Sequence, residues 1–246
     1  MKTAFSTLSC MDRSPEQVSR LARRHGFDAV EIRLDGNGTF NGLYDPSVIR
    51  ELFDGIEILS LNTGLTVAPD CDASDEIKKA ASFASSCGAG GIRVFADPRG
   101  DLARLAGAVF VSSEAAEMEG VKLLIETHGA LTSTADMKRL LDLTGRSFAV
   151  IWDVLHTMES GETVAESADD LKGSVAHVHL KDALNTSDGY RMTKLGEGDV
   201  EPTAVRELLD GCTAFSLEWE EFWHEELRGI YRDADELLSS YLEWLK

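Results

Sequence analysis

Three apolar runs, Lys122-Leu-Leu-Ile-Glu-Thr-His128, Phe148-Ala-Val-Ile-Trp-Asp-Val-Leu-His156 and Val175-Ala-His-Val-His-Leu-Lys-Asp182, each end in ionisable residues. Glu126, Asp153 and His179 stand 27 and 26 residues apart, about one strand, one helix and two short connections each time. Apolar residues drive a strand into a core. A carboxylate or imidazole repeatedly placed at its end therefore calls for a chemical reason, such as a metal-centred site at one end of a parallel barrel.

The same alternation extends outward in both directions. Upstream, strands are expected at Thr3–Ser9, Asp28–Leu34, Ile56–Asn62 and Gly91–Ala96. Between them, Ser14-Pro-Glu-Gln opens a helix with Ser14 as N-cap and Pro15 at its first position, and Gly26 stops it. Further helices are expected from Asp45 through Phe53, over Asp75–Cys87 closed by Gly88, and over Asp101–Glu119 ended by Gly120. Downstream, the strands Lys122–Thr127, Phe148–Asp153, Val175–Lys181 and Ala214–Trp219 alternate with helices at Ser133–Thr144, within Thr163–Leu171, at Pro202–Asp210 and at Asp233–Trp244. A longer loop with Gly189, Gly196 and Gly198 precedes Pro202.

Strict β/α alternation implies parallel strands with helical crossovers. Eight such units in 246 residues predict one α/β domain over 1–246, a (β/α)8 TIM barrel with an eight-stranded parallel barrel and outer helices. A doubly wound open sheet is the rival plan. It usually has fewer strands, and no GxGxxG loop follows the first strand.

The chain carries 43% hydrophobic and 27% charged residues and a net charge of −19, with 43 acids against 24 bases. That balance opposes nucleic-acid binding, which relies on Lys and Arg. It describes a solvated acidic surface and does not exclude a small anionic substrate. Cys10, Cys71, Cys87 and Cys212 form no CxxC pair, so reduced thiols in the cytosol are expected. The N-terminal apolar run is broken by Ser and Thr and followed by Asp12 and Arg13, which reads as a strand and not a signal. No run reaches the roughly 18 apolar residues of a membrane span.

Polar residues gather at the expected C-terminal strand ends: Glu31, Arg33 and Asp35; Arg93 and Asp97; Glu126 and His128; Asp153 and His156; His177, His179 and Lys181; Glu218 and Glu220. Residues i and i+2 share a strand face, so His177, His179 and Lys181 point the same way at successive heights. Three carboxylates and one imidazole from four consecutive strands suit Mn²⁺, Mg²⁺, Co²⁺ or Zn²⁺. The lack of cysteine among them disfavours a structural zinc site.

The segments Ile125-Glu-Thr-His128, Trp152-Asp-Val-Leu-His156, His177-Val-His-Leu-Lys-Asp182, Leu195-Gly-Glu-Gly-Asp199 and Ser216-Leu-Glu-Trp-Glu220 resemble the xylose-isomerase-like barrel superfamily. That superfamily includes sugar isomerases and epimerases, dehydratases and endonuclease IV. The resemblance implies that Glu126, Asp153, His179 and Glu218 hold one divalent metal, Mn²⁺ first among the candidates. It implies that His156 contacts a substrate oxygen, and that Glu126 and Glu218 pass a proton on opposite sides of a carbon next to a carbonyl, through a metal-stabilised enediolate. The substrate implied is a small keto sugar or related polyol, with no nucleic-acid or membrane partner. Relatives are often dimers or tetramers, so a homo-oligomer is expected by analogy.

Several residues keep two readings. Asp153 is a ligand or the cap of the following helix, and Glu126 a ligand or a salt-bridged acid. His179 is a ligand or a satisfied core histidine, and His177, deeper in the barrel, is more often a core histidine. His128 and Lys181 are substrate contacts or partners of neighbouring acids. Arg33 and Arg93 pair with Glu31 and Asp97 or, for Arg93, hold a substrate carboxylate. Trp152, Trp219 and Trp223 wall a pocket or fill the core. Gly196–Gly198 is a turn more often than a phosphate contact, and Arg191 in the same loop is a candidate substrate contact. Arg93 with His128 fits a metal-dependent dehydratase on the same barrel, similar to dehydroshikimate or inosose dehydratases. Endonuclease IV needs further histidines on the third and fourth strands, which end in Ser60-Leu-Asn-Thr-Gly64 and Arg93-Val-Phe-Ala-Asp97. A non-catalytic binding protein is disfavoured because all four ligand positions carry ligating residues.

Overall fold

A computed structural model describes residues 1–34, 44–71, 73–209 and 214–246. The expectations that fell on Asp35, Asp210 and Cys212 lie outside these residues. The barrel strands are β1 (Lys2–Ser6), β2 (Ala29–Arg33), β3 (Glu57–Val67), β4 (Gly91–Ala96), β5 (Lys122–Glu126), β6 (Ala149–Asp153), β7 (Val175–Leu180) and β10 (Ala214–Leu217). They close in the order β1-β10-β7-β6-β5-β4-β3-β2. Every neighbouring pair is parallel, including β1 with β10 through Lys2↔Ala214 to Phe5↔Leu217. That pairing closes the sheet and removes the open doubly wound alternative.

Local chemistry sets the crossovers. In α1 (Pro15–His25), the Ser14 hydroxyl accepts from the Gln17 N–H and the Gln17 side chain accepts from the Ser14 N–H, a capping box. Gly26 ends the helix at φ 73°, a conformation that a Cβ disfavours. Val18, Leu21 and Ala22 face the core, and Phe27 packs edge-on to Phe5 at 4.8 Å between ring centroids. At Gly91, a Cβ would meet the Lys122 carbonyl oxygen and Leu124 at 2.8 Å, so only glycine lets β4 approach β5 this closely.

Four details depart from expectation. The first strand stops at Ser6, and Thr7–Cys10 coil into a 3₁₀ turn whose first N–H donors include Leu8 to the Ser6 hydroxyl. β3 runs on to Val67, with a register irregularity between Asn62 and Thr66. A short helix, α6 (Val154–Glu159), follows β6 directly. The long loop after β7 holds an antiparallel hairpin of β8 (Ala183–Thr186) and β9 (Gly189–Met192).

The shell between barrel and helices is apolar, and Val30, Ile92, Val94, Ile125, Val150, Val178 and Leu217 are fully buried within it. The barrel interior is different. Glu31, Ser60, Asn62, Arg93, Glu126, Asp153, His177, His179, Lys181, Ser216 and Glu218 are all buried. Burying charge is costly unless it is paired or ligated, so this concentration marks the site. No helix among the described residues is long and apolar enough to cross a membrane.

Candidate metal centre and active site

Strand register brings the expected ligands together. Asp153 and His179 are direct cross-strand partners on β6 and β7, and Ser216, two residues before Glu218, partners His179 on β10. One ligating atom from each of Glu126, Asp153, His179 and Glu218 falls within a 4.8 Å cluster. His179 Nδ1 lies 3.3 Å from Glu218 Oε2, 3.7 Å from Glu126 Oε1 and 4.0 Å from Asp153 Oδ2.

Asp153 caps the following helix and also faces the cluster. Its Oδ1 accepts from the His156 N–H at 3.0 Å and so caps α6, while Oδ2 turns to the cluster. Thr127, which the sequence reading passed over, fixes the end of β6 by accepting from the Asp153 N–H at 2.9 Å.

The donor set suits a divalent cation. Glu126 Oε2, Asp153 Oδ2 and His179 Nδ1 are buried without a well-aligned hydrogen-bond partner, although each lies within ion-pair distance of a charged neighbour. Such orphaned acceptors converging on one point are what a cation would satisfy.

Lys181 sits beside this cage, buried, with its ammonium 2.9 Å from Asp153 Oδ2, 3.2 Å from Glu218 Oε2 and also against Glu220. Arg93, 1% exposed, pairs with Glu126 at 3.3 Å and stacks over Phe95 at 4.2 Å. This corrects the pairing of Arg93 with Asp97, whose carboxylate instead accepts from the Arg99 N–H. The pairing of Arg33 with Glu31 gives way as well. Arg33 lies over the Trp223 ring at 4.6 Å, and Glu31 turns to His177 and His179 at 2.9 and 3.0 Å.

Burial works against charge on Glu218, but His179 and Lys181 outweigh it and hold the carboxyl well below its ordinary range. Burial likewise opposes charge on Glu126 and Asp153. Arg93 pulls the first down, and His156 with Lys181 pulls the second down. Burial lowers His179, yet Glu218 and Glu31 lift it well above the usual imidazole value. His156 is depressed by burial, raised more by Asp153, and ends at about 9. His128 is pushed below the usual imidazole value, first by burial, which keeps a neutral imidazole at the cavity wall.

A cavity of about 370 Å³ opens over the cluster, with Arg33, Arg93, Phe95, His128, His156 and Trp223 around Glu126 and Glu218. Asp153 and His179, fully buried, do not line it. A larger cavity of about 700 Å³ lies between the β1–α1 turn and the segment after β10. It holds none of the four clustered ligands, so the chemistry belongs to the smaller one. The His128 ring stands 4.5 Å from Phe95 and 5.0 Å from His156. Arg191 is exposed on β9 and lines no part of this cavity.

The tryptophans divide. Trp223 is half-exposed at the mouth. Trp152 is core, donating to Thr157 at 3.0 Å, and Trp219 is buried edge-on against Tyr231. The Gly196–Gly198 loop is spoken for: Asp182 accepts from the N–H groups of Gly196, Gly198 and Val200 at 2.8, 2.9 and 3.2 Å. These donors point at a protein carboxylate and not at a phosphate.

A closed (β/α)8 barrel with a buried cluster of three carboxylates and one imidazole at its strand ends, which could hold a metal ion, places the chain among the α/β barrels that carry their site at that end. A family profile described as xylose isomerase-like TIM barrel matches residues 19–246. The chain belongs to that family. No curated protein matches it by sequence. Among solved structures it is similar to a probable 3-DHS dehydratase involved in petrobactin synthesis from Bacillus anthracis, at 20% identity and TM-score 0.80, covering 100% of this chain and 98% of that one. It is also similar to an L-ribulose 3-epimerase, at 17% identity and TM-score 0.77, covering 99% and 94%. A third is the 3-keto-D-glucoside 4-epimerase of E. coli, at 17% identity and TM-score 0.73, covering 100% and 98%.

Proposed function

We propose that this protein is a divalent-metal-dependent isomerase or epimerase of a small keto sugar or related polyol. The observation that carries the reading is the placement of Glu126 and Glu218, both lining the cavity while each also offers an oxygen to the cation cluster. Mn²⁺ is the first candidate for the cage. A cation bound there would polarise the substrate carbonyl and offset the charge that develops when a neighbouring proton leaves.

The chain's own groups do the rest. One of Glu126 and Glu218 takes the proton from carbon and the other returns one from the opposite side. The cationic neighbours favour the ionised form of both, which the accepting glutamate needs; the returning glutamate must first take up a proton from solvent through the cavity. His156 donates to a substrate oxygen from the rim. Lys181 keeps Asp153 and Glu218 in place. Family membership and the similarity to epimerases support this assignment, as does a cavity sized for a small molecule. A cytosolic setting with reduced thiols accompanies it.

A dehydratase is the second reading, favoured by one observation: Arg93 Nη1 is buried without a hydrogen-bond partner, and Arg93 lines the cavity. A guanidinium so placed can take a substrate carboxylate, and neutral His128 beside it can serve as acid or base. Incubation with Mn²⁺ in D₂O against a panel of ketoses and hydroxy-keto acids tests both. Deuterium incorporation at unchanged composition is expected for isomerisation, and loss of 18 mass units marks dehydration. Neither change with any substrate, in protein shown to hold the metal, overturns the assignment.

A further inference from the structure

An imidazole that ligates a cation through one nitrogen must keep its proton on the other, and the partner of that other nitrogen decides the tautomer. His179 is placed for this choice. Its Nδ1 faces Glu126, Asp153 and Glu218, and its Nε2 lies 3.0 Å from Glu31 Oε2. Glu31 reaches across the barrel from β2 and is fully buried.

Its carboxylate is itself fixed from two further strands. On β3, the Asn62 side-chain N–H donates to Oε2 at 2.9 Å, and the Asn62 carbonyl oxygen accepts from Ser60 Oγ at 2.6 Å, which sets which way the amide faces. On β7, His177 Nε2 lies 2.9 Å from the same oxygen. Glu31, His177 and His179 also meet the spacing of a cation cluster. The Asn62 amide proton aimed at the shared oxygen argues for a carboxylate that collects N–H donors there.

We infer that Glu31 is a positioning residue for the cation cage, holding the proton of His179 on Nε2 so that the Nδ1 lone pair is presented to the cage. The inference rests on the reading that Glu126, Asp153, His179 and Glu218 hold a cation. It assigns Glu31 no contact with substrate.

The test is Mn²⁺ affinity, read from free Mn²⁺ by electron paramagnetic resonance, for the wild type, Glu31→Gln and His177→Asn, with melting of the metal-stripped proteins recorded alongside. Glu31→Gln keeps the shape but loses the anion and is expected to weaken Mn²⁺ binding about 10- to 100-fold. His177→Asn leaves the Glu31–His179 contact intact and is expected to stay within about threefold of wild type, even if its melting temperature drops. Two outcomes overturn the inference alone: Glu31→Gln binding Mn²⁺ within threefold of a wild type that binds it, or both variants losing affinity equally. A wild type that binds no Mn²⁺ overturns the cage, and the role of Glu31 with it.

Discussion

The Lys181 ammonium lies 2.9 Å from Asp153 Oδ2, with both side chains sealed from solvent. Burial alone would strip Lys181 of its proton, but Asp153, Glu218 and Glu220 hold it charged, well above the usual lysine range. Removing one partner of a buried pair leaves an uncompensated charge and costs about 3–5 kcal/mol. Lys181→Met is therefore expected to destabilise the metal-stripped protein by about that amount. Saturating Mn²⁺ should recover part of it by neutralising the same carboxylates. Urea unfolding with and without metal measures this, and an equal loss in both conditions would show that Lys181 and the cation do not share those charges.

Glu218, one residue past the end of β10, is the ligand candidate outside the stretch that holds the other three. Glu218→Gln removes a charged oxygen from the cage and a partner from Lys181. Mn²⁺ binding is expected to fall sharply, and turnover of any identified substrate by at least about 100-fold. Isothermal titration with Mn²⁺ and a rate assay at saturating metal separate the effects. Full activity in Glu218→Gln would remove it from the proton transfer.

The barrel could be read in advance because each unit carries its own punctuation. Ser14, Pro15 and Gly26 bracket a helix through local backbone chemistry, and β4 begins and ends where its apolar run does. The candidate quartet is visible because each of the four residues closes or lies near the end of an apolar run. What escaped depends on long-range or side-chain events. Glu31 meets its partner His177 146 positions away, and nothing in Glu31-Ile-Arg33 announces it beyond a charge on an inward face. The helix at Val154–Glu159 is six residues long, and beyond Asp153 as a possible cap it is too short for an apolar period to mark its extent. The β8–β9 hairpin carried a signal, Asp188-Gly189, in a stretch whose polar strands show almost no alternation.

Asp182 pins the Gly196–Val200 turn through backbone N–H bonds. A Cβ on Gly198 would stand 2.2 Å from Asp182 Oδ1 and 2.6 Å from the Ala183 carbonyl oxygen. Gly198→Ala is expected to cost about 1–3 kcal/mol and to loosen the loop ahead of α8 (Pro202–Leu208). Chemical denaturation gives the size, and faster amide exchange at Gly196 and Val200 gives the location. An unchanged midpoint would mean the loop shifts without cost.

His156 lies 3.7 Å from Asp153 Oδ2 and 3.2 Å from Glu159 Oε2, and its pKa is pushed up to about 9. Folding therefore favours the protonated ring. The stability it contributes is fully present below its ordinary value of about 6.5 and is lost as pH rises through about 9, with a ceiling of about 3 kcal/mol. Stripped wild type and His156→Asn should differ most below pH 6.5 and converge above pH 9 in urea titrations. A gap that stays constant across that window would rule out the Asp153 contact as its source.

Arg93 decides between the two reactions considered for this site. Its guanidinium is fixed on two sides, by Glu126 at 3.3 Å and by the Phe95 ring, and Nη1 is left without a partner. Lysine keeps the charge beside Glu126 but cannot offer a planar fork to a carboxylate. If the substrate carries a carboxylate held by Arg93, Arg93→Lys should lower kcat/KM about 10- to 100-fold through that lost charge-assisted contact. If the substrate is a neutral keto sugar, the same variant should change kcat/KM by less than about threefold, since the pairing with Glu126 survives. Measuring both substrate types on one preparation, with Mn²⁺ binding confirmed, makes the comparison internal. A large loss on a carboxylate-bearing substrate selects the dehydratase reading, and turnover of a neutral keto sugar that changes by less than about threefold selects the isomerase.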